Sequence, residues 1–203
     1  MIIEKIVVGQ FETNCYLIGC ENTKKAVIID PGAEFETINK VIVDIGLKPE
    51  FVINTHGHVD HFLENDKFAL PVYIHRLDSS FLKDTIRNLS VLFGFSYIYN
   101  GKIEFLEEGK TFEIGEIKLK TIHTPGHTPG SICLFDEVKK IIFTGDTLFA
   151  YGFGRTDFPE GSEEILLKSI KEKLLILPEE TVIYPGHGPS CNIKKVKEWF
   201  SGI

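Results

Sequence analysis

The chain has 203 residues, 43% of them hydrophobic and 25% charged, with a formal net charge of −7. That length suits one domain, residues 1–203, and the composition is that of a globular protein. The acidic balance argues against a nucleic-acid partner, and no apolar run approaches the ~20 residues of a membrane span.

In chain order, the first run is MIIEKIVVGQF. Glu4 and Lys5 interrupt it and no small-residue cleavage site follows. It reads as a first strand over 2–8 and not as an export signal, so a cytoplasmic location is expected. Strands are predicted over 14–18 and 26–30, each rich in Ile, Val or Tyr. Phe35, Ile38, Val41, Ile42 and Ile45 then recur at helical spacing over 34–45, with Gly46 as the C-cap. Residues 51–55, FVINT, predict a buried strand running straight into THGHVDH, residues 55–61. Residues 77–99 contain VLFGFSYIY, dense in aromatics at 89–99. The expectation is an insert over 78–100, helical and packed on the body, or a flap over a pocket.

The second half repeats the pattern, with short strands over 103–105, 111–114, 117–122, 131–135 and 141–144. Ser162, followed by Glu163 and Glu164, marks a helix start, and that helix is predicted to run to about residue 175. A last strand over 181–184 and a last helix over 193–200 close the chain. Lys194, Lys195 and Lys197 are interleaved with apolar residues and read as a solvated helix face. Two similar halves of strands with flanking helices predict two packed sheets with helices outside. Cys15, Cys20, Cys133 and Cys191 form no CxxC pair and are expected to be reduced.

The chemistry concentrates in THGHVDH. His56 and His58, two apart at a strand end, point to one side and reach one ion. Asp60 and His61 fall where the chain turns, facing a second point, and the apolar Phe62 and Leu63 that follow predict the start of a helix. Four donors are too many for one Zn2+ that keeps a position open for water, so two ions are expected. His127 in TPGHT, Asp146 in GDT and His187 in PGHG each follow a strand candidate and sit in Gly-rich turns, which converge at one edge of a two-sheet fold. Together these seven residues offer three ligands to each ion and one shared carboxylate. His75 and His123 read as structural or supporting.

HGHVDH, TPGHT, GDT and PGHG, in that order, resemble the metallo-β-lactamase superfamily, and the resemblance spans residues 14–189. It implies a four-layer αββα sandwich of the α/β (α+β) class. It also implies a first metal site of His56, His58 and His127, a second of Asp60, His61 and His187, and Asp146 as the bridge. Asp30, in IIDPG, matches an aspartate that supports the site from behind. Asp60 and Asp146 would be the catalytic carboxylates, around a water held between two divalent ions, Zn first, with Fe or Mn as alternatives.

Within that superfamily the glyoxalase II side is favoured. β-Lactamases of this fold usually carry Arg at the position of His61, and many carry Cys at that of Asp146. GFGRTDFPEGS, residues 152–162, is similar to a glyoxalase II segment whose basic residue holds a glycine carboxylate of glutathione, and Arg155 matches that residue. The alternative is an arginine that fixes its own loop by pairing with Asp157. Pro189 stands where glyoxalase II has Tyr, and its helical C-terminal domain has no counterpart here, so the resemblance is to the short, single-domain glyoxalase II-like proteins. The expected activity is hydrolysis of a small-molecule thioester such as S-lactoylglutathione. GRTDF also resembles persulfide dioxygenases, which would use one Fe(II) on His56, His127 and Asp146. A metal-stabilised binding module without turnover is the reading of a different class.

Overall fold

The fold was analysed in a computed structural model, which describes residues 1–201. The first sheet consists of β1 (Ile2–Val8), β2 (Thr13–Gly19), β3 (Lys25–Ile29), β4 (Lys48–Ile53), β5 (Val72–His75) and β6 (Ile103–Leu106), side by side in that order. The second sheet runs β12 (Cys191–Asn192), β11 (Val182–Pro185), β10 (Ile141–Gly145), β9 (Ile132–Asp136), β8 (Ile117–His123) and β7 (Thr111–Ile114). Pairing is antiparallel at β1–β2–β3 and at β7–β8–β9–β10, but parallel across β3–β4–β5–β6 and across β10–β11. Parallel pairing brings strand ends, and the loops that follow them, to the same edge.

Helix α1 (Phe35–Ile45) covers the first sheet, and α3 (Glu163–Ser169) and α4 (Ile193–Ser201) cover the second. The side chains sort accordingly. Cys15, Leu17, Ala26 and Ile28 face α1 through Ile38 and Ile42, while their neighbours Tyr16, Ile18, Val27 and Ile29 face the second sheet. On that sheet Ile132, Leu134 and Phe143 point inward, and Cys133, Ile142 and Ile183 point out to Leu166, Ile170 and Val196. Strands buried on both faces read as unbroken apolar runs, and this is why CYLI, AVII and IIF show no alternation. The four-layer αββα sandwich is therefore observed.

Helix ends follow local chemistry. Gly46, at φ 67°, closes α1 by donating to Ile42 and Val43 carbonyls. The Ser162 hydroxyl accepts from the Ile165 N–H at the start of α3, which continues into a π-helical turn, Ile170–Leu174.

Three expectations are corrected. Strand β4 ends at Ile53, so His56 and His58 lie in the following loop and not on a strand end. The apolar start at Phe62 does not open a helix: Val59–His61 is one 3-10 turn, followed by the short helix α2 (Asn65–Phe68). The helical insert over 78–100 is not formed. Its regular part is a 3-10 turn, Phe81–Lys83, then linked turns; Leu89 at φ 68° is left-handed, which no α-helix passes through.

Candidate metal centre

The edge where β3, β4, β10 and β11 end is also where the two sheets are tied together. The Asn14 N–H donates to the Gly186 carbonyl (2.7 Å) and the Ile132 N–H to the Thr55 carbonyl (2.9 Å), while within the second sheet the Gly186 N–H donates to the Gly145 carbonyl (2.8 Å). The Asn14 amide donates to the Pro185 and Gly188 carbonyls (2.8 and 2.9 Å), and the Tyr16 hydroxyl to Pro185 (2.7 Å). The first sheet thus shapes the loop of the second that carries His187. Two glycines of the motifs are required by close approach. A Cβ on Gly186 would stand 2.2 Å from Asp146 Oδ1, and one on Gly32 1.5 Å from the Asp60 carbonyl oxygen.

All seven expected side chains meet here. His56, His58 and His127 form one cluster; Asp60, His61 and His187 form another; Asp146 groups with His56 and His61 between them. In the first, His56 Nε2, His58 Nδ1 and His127 Nε2 stand 2.9–3.2 Å apart. In the second, His61 Nε2 and His187 Nε2 are 3.3 Å apart, and both lie 3.4–3.5 Å from Asp60 Oδ2. Asp146 Oδ1 is 3.5 Å from His61 Nε2, and its Oδ2 lies 3.5 Å from His187 Nε2 and 3.7 Å from His127 Nε2.

These spacings fit metal ions. Ligand atoms about 2.0–2.1 Å from a tetrahedral Zn2+ stand roughly 3.3 Å from each other. The outward ring nitrogens explain the tautomers. His127 Nδ1 donates to the Arg155 carbonyl (2.7 Å), His187 Nδ1 to Phe11 (3.0 Å), His61 Nδ1 to Asp30 Oδ2 (3.0 Å) and His56 Nδ1 to Thr55 Oγ1 (3.2 Å). Each such bond turns Nε2 inward, the atom that would offer its lone pair to an ion. The bare nitrogens of His56 and His127, 3.2 Å apart, repel unless a cation lies between them. His58 is turned the other way, Nδ1 inward, and its buried Nε2 has no hydrogen-bond partner. Asp146 Oδ1 is likewise buried without a donor.

The charges divide the histidines. Burial holds His56, His58 and His127 below the ordinary imidazole range, and crowding by other imidazoles adds to it. Burial acts the same way on His61, but Asp60, Asp146 and Asp30 outweigh it and take it up to about 9. At His187, burial is outweighed by Asp146 and Asp60, which push it up to about 11. Asp60 and Asp146 are held down by these imidazoles despite burial.

Asp30 stands where a support was expected, accepting from the Thr55 N–H and hydroxyl (2.8 and 2.7 Å) as well as from His61. Arg155 lines the cavity, but its guanidinium makes two bonds to Asp157, Nε to Oδ1 at 2.9 Å and Nη2 to Oδ2 at 2.7 Å. His75 and His123 stack on each other, 4.1 Å between centroids, and belong to no ligand cluster among the described residues. Cys133 is buried in β9 and Cys191 half-buried at β12.

Asp78 was missed. It is fully buried and accepts from the Gly57 N–H (2.9 Å), the Thr128 hydroxyl (2.6 Å) and the Gly130 N–H (2.6 Å). It therefore joins the loop of His56 and His58 to the loop of His127. Burial raises its carboxyl to about 6, against those donors. The signal was present, because Asp78 follows β5 at the edge where Asp30, His56, Asp146 and His187 follow their strands.

Above the cluster lies a cavity of about 310 Å³. His58, Asp60, His127, Asp146 and His187 form its floor, with Phe11, Phe93, Phe149, Phe153 and Phe158 among its walls. No Ser, Thr or Cys lines it among the described residues. Larger hollows near Cys191 and between the turns at 20–22 and 136–139 contain none of the seven ligands.

An αββα sandwich with a His/Asp metal-binding cluster at its sheet edge, consistent with two ions, defines the class. The chain belongs to the metallo-beta-lactamase superfamily, which residues 8–187 match. It is 36% identical to the hydroxyacylglutathione hydrolase GloC of Haemophilus influenzae, over 97% of this chain and 95% of that protein. It is also 34% identical to the mitochondrial persulfide dioxygenase ETHE1 of Bos taurus, over 86% of this chain and 63% of that one. Among solved structures, BLEG-1 B3 metallo-beta-lactamase superposes with a TM-score of 0.90 at 33% identity, covering 97% of both chains. TTHA1623 in a di-iron-bound form gives 0.85 at 31%, covering 96% of both. Among the described residues, no helix is long and apolar enough to cross a membrane.

Proposed function

We propose that the protein is a binuclear metallohydrolase that cleaves thioesters. The observation that carries this reading is the convergence of seven donors in two triplets of near-tetrahedral spacing, with Asp146 between them. His56, His58 and His127 would hold one divalent ion, Asp60, His61 and His187 the other, with Asp146 shared, and Zn suits the donor set. Bound there, the ions would supply a water deprotonated near neutral pH and a Lewis acid for the carbonyl oxygen.

The chain's own residues do the rest. With all five imidazoles neutral, Asp60 and Asp146 contribute the only charges of the ligand set, so two divalent ions leave the floor cationic, which favours the anion forming at the carbonyl. Asp30, Thr55, Phe11 and Arg155 fix the four Nδ1 protons outward. The Thr13 hydroxyl, 3.2 Å from Asp60 Oδ2, orients that carboxylate. The lack of a lining hydroxyl or thiol supports attack by water and not by a side chain. The di-iron form of TTHA1623 and the activity named for GloC support two ions and thioester cleavage.

Oxygen chemistry on His56, His127 and Asp146 alone would give Asp60, His61 and His187 no ion, although their ligand atoms converge to within 3.3–3.5 Å of one another. Elemental analysis of the natively loaded protein, with thioester hydrolysis and oxygen uptake on a persulfide, separates the readings. Two ions per chain, turnover lost on chelation and restored by metal, and loss of both in Asp146→Ala are expected. One iron per chain with persulfide-dependent oxygen uptake, or near-normal hydrolysis by Asp146→Ala, overturns the proposal.

A further inference from the structure

The cavity over the cluster has two unlike sides. On one, Asp60 and Phe11 also line a second hollow of about 280 Å³. Its other walls include Val8, Ala33, Val59, Leu63 and Phe95, and among the described residues Asp60 is its only charged one. Phe11 packs on Phe93, 4.2 Å between centroids, so one aromatic pair runs along the path between the hollows. Phe11 and Phe95, 37% and 36% exposed, present apolar surface at this hollow. On the other side stand Arg155 and Phe158, with Arg155 the only Lys or Arg among the described residues of the wall. Asp157 already occupies its fork, and the pair is well exposed. A carboxylate brought to Arg155 would meet Asp157 as a like charge.

We infer that the acyl group of the substrate is an uncharged, apolar chain, lying along Phe11 from the cluster into the second hollow, while the thiol carrier leaves past Arg155 and needs no carboxylate. This rests on the thioesterase reading above. The carbonyl must stand over the cluster floor, so its two substituents take the two sides, and the side whose walls are mostly apolar, with Gln10, Thr13 and Asp60 as its polar members, suits the chain. At about 30 Å³ per small group, the second hollow accepts on the order of eight to ten non-hydrogen atoms.

The test uses the full chain with both ions verified by elemental analysis. Acetyl, butanoyl, hexanoyl and octanoyl thioesters of N-acetylcysteamine are compared with S-lactoylglutathione. A buried methylene is worth up to about fourfold, so kcat/KM should rise at least tenfold from acetyl to hexanoyl and exceed that for S-lactoylglutathione. In Ala33→Phe, which fills the second hollow, the hexanoyl-to-acetyl ratio should fall towards one. Calorimetry on the unaltered protein gives a readout without turnover: hexanoate should bind at least tenfold tighter than acetate, which shares its carboxylate. A flat chain-length series, equal binding of the two acids, or preference for S-lactoylglutathione overturns this inference and leaves thioester cleavage standing. If no thioester is cleaved, both fall.

Discussion

Asp30→Asn is the most informative single change, because it keeps the shape of the side chain and alters only where protons sit. Asp30 Oδ1 accepts the Thr55 N–H at 2.8 Å, and Oδ2 accepts the Thr55 hydroxyl at 2.7 Å and His61 Nδ1 at 3.0 Å. The Thr55 amide can only donate, so the Asn carbonyl must take the Oδ1 place and the NH2 group the Oδ2 place. That NH2 then faces the N–H of His61. The imidazole escapes by moving its proton to Nε2, the nitrogen that faces Asp60, Asp146 and His187. The lone pair for the second ion is lost. Changing an outer partner of a ligating histidine costs about 10–100-fold in metal affinity, or about 1.4–2.7 kcal/mol. The first ion should lose no more than about threefold, since His56 keeps the Thr55 hydroxyl and His127 the Arg155 carbonyl. Competition with a chromophoric chelator, read as two successive affinities, measures this. A second-ion affinity unchanged by the substitution, or an equal loss at both ions, refutes the reasoning.

Asp78→Ala leaves the Gly57 and Gly130 N–H groups buried without an acceptor, which should cost about 3–5 kcal/mol and roughly 10 °C in the thermal midpoint of the metal-free protein. Asp78→Asn, which keeps one acceptor, should fall between it and the native chain. Gly186→Ala drives a methyl group towards Asp146 Oδ1, and should displace Asp146 and lower occupancy at both positions, measurable by elemental analysis. Metal binding should be proton-coupled unequally. His61 and His187, raised to about 9 and about 11, are imidazolium at pH 7.5, whereas His56, His58 and His127 are neutral. The first ion should therefore release almost no protons and the second about two, so affinity for the second falls as pH falls. Calorimetry in buffers of different ionisation enthalpy reports the number, and equal release for both ions would contradict the division of charge drawn above.

How much of this was legible depends on what each motif encodes. THGHVDH, TPGHT, GDT and PGHG name the ligands because metal chemistry restricts residue type. Gly186 of PGHG and Gly32 of IIDPG are fixed for another reason, close approach to Asp146 and to the Asp60 carbonyl. The buried strands were legible from composition, but β12, two residues long, has no pattern to read. Asp78 escaped because HRLDSS carries no ligand spacing; its role lies in three donors, two of them more than 49 residues away along the chain. Segment 77–99 misled through composition. Aromatic density marked a packed insert, yet its local hydrogen bonds vary in span from three to six residues, the Tyr99 N–H reaches back to Leu82, and the left-handed Leu89 breaks any helical register. Arg155 shows the same limit, for the sequence left open whether its guanidinium meets a substrate carboxylate or Asp157, and only the fold places Asp157 in its fork.

The origin of the ligands has a consequence for folding. His56, His58, Asp60 and His61 follow β4 of the first sheet, while His127, Asp146 and His187 come from loops of the second. Every ligand cluster mixes the two sheets. No half can therefore complete an ion site, and the spacing of the donors is set by the packing between the sheets. That packing includes, nearest the ligands, Tyr16 against Phe143 and Tyr184, with ring centroids 5.1 and 5.7 Å away. Tyr16 also holds the Pro185 carbonyl two residues before His187. The aromatic core and the metal cluster thus share one residue, and through it one geometry. Free energy gained by binding the ions is gained only when the sheets are docked, so metal and core stabilise the same state.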